Sequence, residues 1–230
     1  MAAGRDETSE SSASALETLC QTYWYPLYVY VRRRTNHVHE AQDMTQAFFE
    51  KLLEKKTIAN ADPDRGRFRA FLLTACKRFL ANEWKKEQAV KRGGDNKTLS
   101  LDFEAAENRY SLEPEDTLTP ETVYEQQWAI ALLDSVLNQL ETEFQSRDKQ
   151  NQFEVLKPFL SGSKALTHAE AGQQLGMREG AVKVAAHRMR TRYRDLIRAE
   201  IAQTVESPEQ IDDEIRRLFE VLAEKRPNSM

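Results

Sequence analysis

The chain has 230 residues, 40% of them hydrophobic and 30% charged, with a formal net charge of −4. That length allows one large domain or two small ones, and only 8 Gly and 7 Pro argue against an all-β fold built on turns. No apolar run approaches the roughly 20 residues of a membrane span. The opening M-A-A-G-R-D-E-T-S-E-S-S-A-S lacks the apolar core of a secretory leader, so an all-α, soluble, cytoplasmic protein with no membrane contact is expected.

Residues 1–14 read as a disordered tail and residues 15–92 as a first domain. From Leu16 to Arg34 apolar residues recur at Leu19, Tyr23, Leu27, Tyr30 and Val31, a helical spacing that ends in three arginines. Pro26 inside it should bend or restart the helix. A second helix, about His39 to Lys55, turns Ala41, Met44, Phe48, Leu52 and Leu53 inward and carries Glu40, Asp43, Gln46 and Glu50 outside. The tract N-A-D-P-D-R-G-R (60–67) is a loop by its Asn, Pro and Gly content. A third helix, about Phe68 to Arg92, pairs an apolar stripe (Phe68, Phe71, Leu72, Ala75, Phe79, Leu80, Trp84) with a basic side. That side has seven cations, Arg69, Lys77, Arg78, Lys85, Lys86, Lys91 and Arg92, against Glu83 and Glu87. Cations beside flat aromatic faces suit single-stranded nucleic acid, although aromatics at this spacing are mostly core. Cys20 and Cys76 have no metal-type spacing and read as buried free thiols.

Residues 93–120 are acidic, with Pro114 and Pro120 as helix breakers, and read as a linker without a helix. A second domain is expected over 121–200. Its first helix, about Glu121 to Phe144, carries Val123, Trp128, Ala131, Leu132, Val136 and Leu140 on one side; another, Gln150 to Leu160, is interrupted by Pro158. Thr167 and Glu170 form a capping box. A short helix follows, with Ala171 and Leu175 inward, and Gly176 ends it in a left-handed conformation. Gly172 inside that helix costs about 1 kcal/mol against Ala, which points to a close approach by the next helix. That helix starts near Arg178 and turns Val182, Ala185, Met189, Tyr193 and Leu196 inward. Small residue, turn Gly and Val at these spacings read as a DNA-binding helix-turn-helix. From Arg178 to Arg198 seven Arg/Lys stand against Glu179 and Asp195, a local cationic footprint for phosphate on an acidic chain. The bland reading is a helical hairpin with a solvated basic face. The segment 201–230 reads as an extension: Ser207 as N-cap, Pro208 at the first helical position and Gln210 completing a capping box, before the stripe Ile211, Ile215, Leu218, Phe219, Leu222. It is expected to dock on the second domain or on a partner.

No phosphate-loop, dinucleotide or nucleophile-elbow motif occurs. His37 and His39 beside Glu40 are read as solvated loop residues rather than metal ligands. Neither a cofactor nor an enzymatic activity is expected.

Three stretches in this order resemble the extracytoplasmic-function (ECF) sigma factors, the small two-domain members of the sigma-70 family. A-Q-D-M-T-Q-A-F-F-E-K-L-L (41–53) is similar to the helix that docks on the clamp of RNA polymerase. F-R-A-F-L-L-T-A-C-K-R-F-L-A-N-E-W-K-K (68–86) is similar to the helix that recognises and opens the −10 element, and the helix-turn-helix to the −35 reader. The 60–69 loop, the K-R-G-G junction and the added C-terminal helix resemble a planctomycete-type subgroup. The resemblance implies a sigma region 2 bundle and a sigma region 4 domain joined by the acidic linker. It implies core RNA polymerase (clamp of the largest subunit, flap of the second largest) and promoter DNA as partners, and leaves room for an anti-sigma factor. Polymerase contacts would fall on Asp43, Gln46, Phe49 and Leu53. The −10 contacts would fall on Asn60, Arg65, Arg67, Arg69, Lys77, Arg78 and Trp84. The −35 contacts would fall on Lys183, Val184, His187 and Arg188, with Arg178, Arg190 and Arg192 nearer the backbone. Arg178 departs from the usual Ser or Thr cap of the recognition helix. The alternative is a helix-turn-helix regulator that binds duplex DNA without polymerase.

Overall fold

A computed structural model describes residues 22–54, 67–87, 101–111, 118–161 and 166–223. Among them every regular element is helical. The expected tail (1–14), Cys20, Asn60 and Arg65 lie outside the described residues. The helices are α1 (22–32), α2 (Val38–Glu54), α3 (Phe68–Glu87), α4 (Phe103–Ser111), α5 (Pro120–Gln145), α6 (Gln150–Leu156), α7 (His168–Leu175), α8 (Glu179–Ala202) and α9 (Glu209–Ala223). The described residues form two compact units. One runs up to Ala131 and takes up the chain again from Thr204; the other is Leu132–Gln203. The division therefore falls inside α5, and the described part of the stretch 93–120 (101–111 and 118–120) belongs to the first unit.

The first unit is built around α1. Its sequence, Y-W-Y-P-L-Y-V-Y-V (23–31), is apolar on every side, and a helix of that kind has to be surrounded. Tyr23, Tyr25, Leu27, Tyr28, Val29, Tyr30 and Val31 are all buried, and Pro26 does not interrupt the helix. The start of α5 covers one side: Tyr124 meets Tyr30 edge-on at 6.4 Å, and the Trp128 indole N–H donates to the Tyr23 hydroxyl at 3.2 Å. Phe68 of α3 stands edge-on to Tyr23 at 5.4 Å. Phe48 of α2 meets Phe79 of α3 at 5.7 Å.

The side left by the expected stripe is covered by α4, a helix in the stretch read as a helix-free linker. Phe103 packs on Trp24 and Tyr28, the Arg109 guanidinium lies 4.2 Å from the Tyr25 ring centre, and Glu107 accepts bonds from the Tyr28 hydroxyl and from Arg32. Asp102 starts the helix by accepting from the Ala105 N–H at 3.0 Å, N-cap geometry.

In the second unit, Val136 and Leu140 of α5, Phe153 and Leu156 of α6, Ala171 of α7, and Val182, Ala186, Met189, Leu196, Ile197 and Ile201 of α8 are buried. α6 stops at Leu156, short of the expected Leu160, and Pro158 falls in the 3₁₀ turn that follows, Lys157–Phe159. Asp148 turns the chain between α5 and α6 at φ 55, a left-handed position that Asp tolerates better than most residues.

Helix α9 lies in the first unit, not on the second domain where it is expected to dock. It starts at Glu209, one residue after the expected Pro208, and Gln210 accepts from the Glu206 N–H at 3.3 Å rather than from Ser207. Its buried line is Glu214, Leu218 and Val221, while Phe219 and Leu222 of the expected stripe are exposed. The line is rotated from the expectation, and a carboxylate sits on it.

Candidate nucleic-acid interface

The helix-turn-helix is fixed by local chemistry. The Thr167 hydroxyl oxygen accepts from the Glu170 N–H (3.2 Å), and the Thr167 N–H donates to the Glu170 carboxylate (2.7 Å). That backbone N–H, and then the hydroxyl, hold the Glu170 carboxyl below its ordinary value. A Cβ on Gly172 would stand 2.6 Å from the Met177 carbonyl oxygen and 3.7 Å from Val182. The close approach is thus chiefly by the turn's backbone. Gly176 takes φ +64, and the Met177 N–H donates back to the Gly172 carbonyl at 2.9 Å. Arg178 occupies the N-cap of α8 without a side-chain cap bond.

With its apolar line inside, α8 turns Arg178, Lys183, Val184, His187, Arg188, Arg190 and Arg192 outward. Val184 is 50% exposed in the middle of these cations. Two of them have internal partners: Lys183 pairs with Glu179 at 2.7 Å, and Arg192 forks onto Glu143 of α5. The Arg192 bond holds the Glu143 carboxyl below its ordinary value. Arg192 therefore braces α8 against α5. A cleft of about 700 Å³ lies beside this face, with Phe144, Leu156, Met177 and Val184 in its lining and Arg147 and Arg188 among its cations.

On α3, Lys77 and Arg78 are exposed, Lys77 with Glu121 at 2.9 Å. Trp84 is half-buried, with the Arg34 guanidinium 5.7 Å from its ring centre. Arg67 is half-buried and pairs with Glu214 at 2.8 Å. Arg69, expected as a strand contact, is only 5% exposed and is not a surface cation. Glu214 (2.5 Å) and Glu125 (2.7 Å) hold its guanidinium, which lies 4.8 Å from the centre of the Trp128 ring. A second arginine, Arg217, donates to Glu125 from α9. The position of Glu214 among apolar residues was the available sequence signal for this network, because a buried carboxylate needs a cation.

Burial pushes the Glu125 carboxyl up, but the bond from Arg217 and the charges of Arg69 and Arg217 outweigh it, so the net value lies below the ordinary 4.5. A depressed carboxylate stabilises the fold above its unfolded value and loses that contribution as pH falls through its folded value. Glu125→Gln is therefore expected to be less stable than the parent at neutral pH. The gap should close as acid protonates the parent's carboxylate, read by urea unfolding between about pH 6 and pH 3. A gap independent of pH would remove the charge from the explanation.

On α2, Asp43 is exposed, and Gln46 is half-buried and donates to Glu50 at 3.0 Å. Phe49, expected to touch polymerase, is 1% exposed and packs edge-on against Phe48 at 5.5 Å. It is a core residue, because the inward stripe of α2 is wider than the expected one and includes it. Leu53 lies in α2, and its side chain is outside the described residues.

No curated protein and no solved structure matches the chain. The family model described as ECF sigma factor matches residues 6–221, a span that includes the second unit and most of the first, α9 up to Val221 among it. The chain belongs to the ECF sigma factor family, and is a DNA-binding RNA polymerase sigma factor of transcription initiation.

Proposed function

We propose that this sigma factor reads a bipartite promoter with two helices and opens the −10 element by trapping unpaired bases. The observation that carries the reading is the outer face of α8, where Lys183, Val184, His187 and Arg188 stand exposed on a capped helix-turn-helix. Lys183, His187 and Arg188 offer donors to base edges in the major groove, and Val184 offers an apolar contact to a thymine methyl. Arg178 and Arg190 neutralise phosphates. Arg178 also opposes the dipole at the start of α8 and leaves its first N–H groups uncapped; a phosphate there satisfies both. Arg192 acts by holding α8 in place.

Lys77 and Arg78 of α3 contact the displaced strand, and Trp84 offers a stacking face. Unstacking a base costs a few kcal/mol, and stacking it on protein returns about 1–3 kcal/mol per base. A few trapped bases nucleate the bubble without nucleotide hydrolysis. Asp43 and Gln46 meet the clamp of the largest polymerase subunit, and the helix-turn-helix unit meets the flap of the second largest.

In vitro transcription with core polymerase, with the start sites sequenced, tests this. Lys183→Ala and Arg188→Ala are each expected to cost about 1–3 kcal/mol at one promoter position. If neither alters promoter choice, α8 does not read the −35 element. Tight, specific promoter binding by the free chain would favour a regulator that works without polymerase.

A further inference from the structure

We propose that α9 is an anionic strap that competes with single-stranded DNA for the Arg67–Arg69 pair at the start of α3. The inference rests on the reading of α3 as the strand-binding helix. The Glu214 carboxylate is 1% exposed and sits between the Arg67 Nε (2.8 Å) and the Arg69 Nε (2.5 Å). Two guanidinium groups converging on one anion form a seat that a phosphodiester fits as well as a carboxylate does. Glu214 reaches that seat from 145 residues along the chain, on a helix with five acidic residues and two arginines.

The exchange is feasible on both sides. Among the apolar residues of α9 only Leu218 and Val221 are buried, while Phe219 and Leu222 stay exposed. Its other ties include Arg217 on Glu125 and the Gln126 side-chain amide donating to the Val221 carbonyl at 3.1 Å, and the segment before it is held by the Phe68 N–H donating to the Thr204 carbonyl at 3.1 Å. When Glu214 leaves, Arg69 keeps Glu125 and the Trp128 face, so its charge is not stranded. A strand phosphate then completes the pair. A strap of this kind lowers strand affinity until something lifts it, and by linkage the strand weakens the strap to the same extent.

The test uses the full chain and a short, labelled, mixed-sequence single strand. Glu214→Gln is expected to bind the strand about fivefold or more tightly than the parent, and Arg67→Ala on that background to remove the gain. In the parent, saturating strand is expected to lower amide-exchange protection across α9. This measurement decides the matter if Glu214→Gln loses its fold. Unchanged affinity in a folded Glu214→Gln chain, or unchanged α9 protection at saturation, overturns the strap. A Lys77→Ala, Arg78→Ala double variant separates the two failures. If it binds the strand as the parent does, the reading of α3 falls and the strap with it. If it binds weakly while α9 and Glu214→Gln stay silent, the strap alone is wrong.

Discussion

Phe49→Ala is expected to lower the unfolding free energy by about 3–5 kcal/mol, the cost of emptying an aromatic site in a packed core. The ring is 1% exposed and lies edge-on to Phe48, which in turn meets Phe79 of α3. Its loss therefore loosens the seam between α2 and α3. All three tryptophans, Trp24, Trp84 and Trp128, lie in the first unit, so tryptophan fluorescence in a urea titration reads this unit directly. Asp43→Ala on the same helix is the counterpart. Its side chain is exposed, so stability should stay within about 0.5 kcal/mol while co-purification with core polymerase falls. Together the pair tests whether α2 divides into a face that holds the bundle and a face that meets a partner. An unchanged fluorescence midpoint in Phe49→Ala would return the ring to the surface.

What the sequence made readable follows from how local the signal is. The capping box at Thr167 and Glu170, the left-handed Gly176 and the Val182, Met189 and Leu196 positions of the apolar line of α8 each depend on residues within one or two turns, and the spacing alone exposes them; Ala186, Ile197 and Ile201 widen that line beyond the expected one. The burial of Arg69 depends on Glu214, 145 residues away, and no local pattern on α3 distinguishes it from the exposed Arg78. Helix α4 is hidden from local spacing for a related reason. Its contacts through Phe103 and Glu107 make sense only against the far side of α1, which Trp24, Tyr25 and Tyr28 occupy. The continuous apolar run 23–31 was the overlooked clue: a helix that is apolar all round demands cover on every side. For the outer face of α8 the sequence was sufficient to name the exposed residues. It could not tell that Glu143 already engages Arg192 and turns a phosphate candidate into a brace.

Gly172→Ala is expected to destabilise the helix-turn-helix by about 1–2 kcal/mol, despite the helix propensity it adds. Replacing Gly by Ala inside a helix gains up to about 1 kcal/mol. Against that, the new methyl group meets the Met177 carbonyl oxygen at 2.6 Å. The oxygen belongs to backbone and cannot swing aside as a side-chain tip would, so relief requires moving the turn. Overpacking of this sort costs about 1–3 kcal/mol, occasionally more. The same movement strains the bond from the Met177 N–H to the Gly172 carbonyl, which closes the turn after Gly176. Gly180, in the first turn of α8, is the internal control. A Cβ there meets nothing within 4 Å, so Gly180→Ala should be neutral or stabilising by up to about 1 kcal/mol. Amide exchange across α7 and α8 measures both: faster exchange in Gly172→Ala, unchanged or slower exchange in Gly180→Ala. Because the turn sets where α8 begins, Gly172→Ala should also weaken promoter-specific initiation without touching a base contact. Equal exchange in the two variants would mean that the turn yields to the methyl group, and that propensity rather than packing governs the motif.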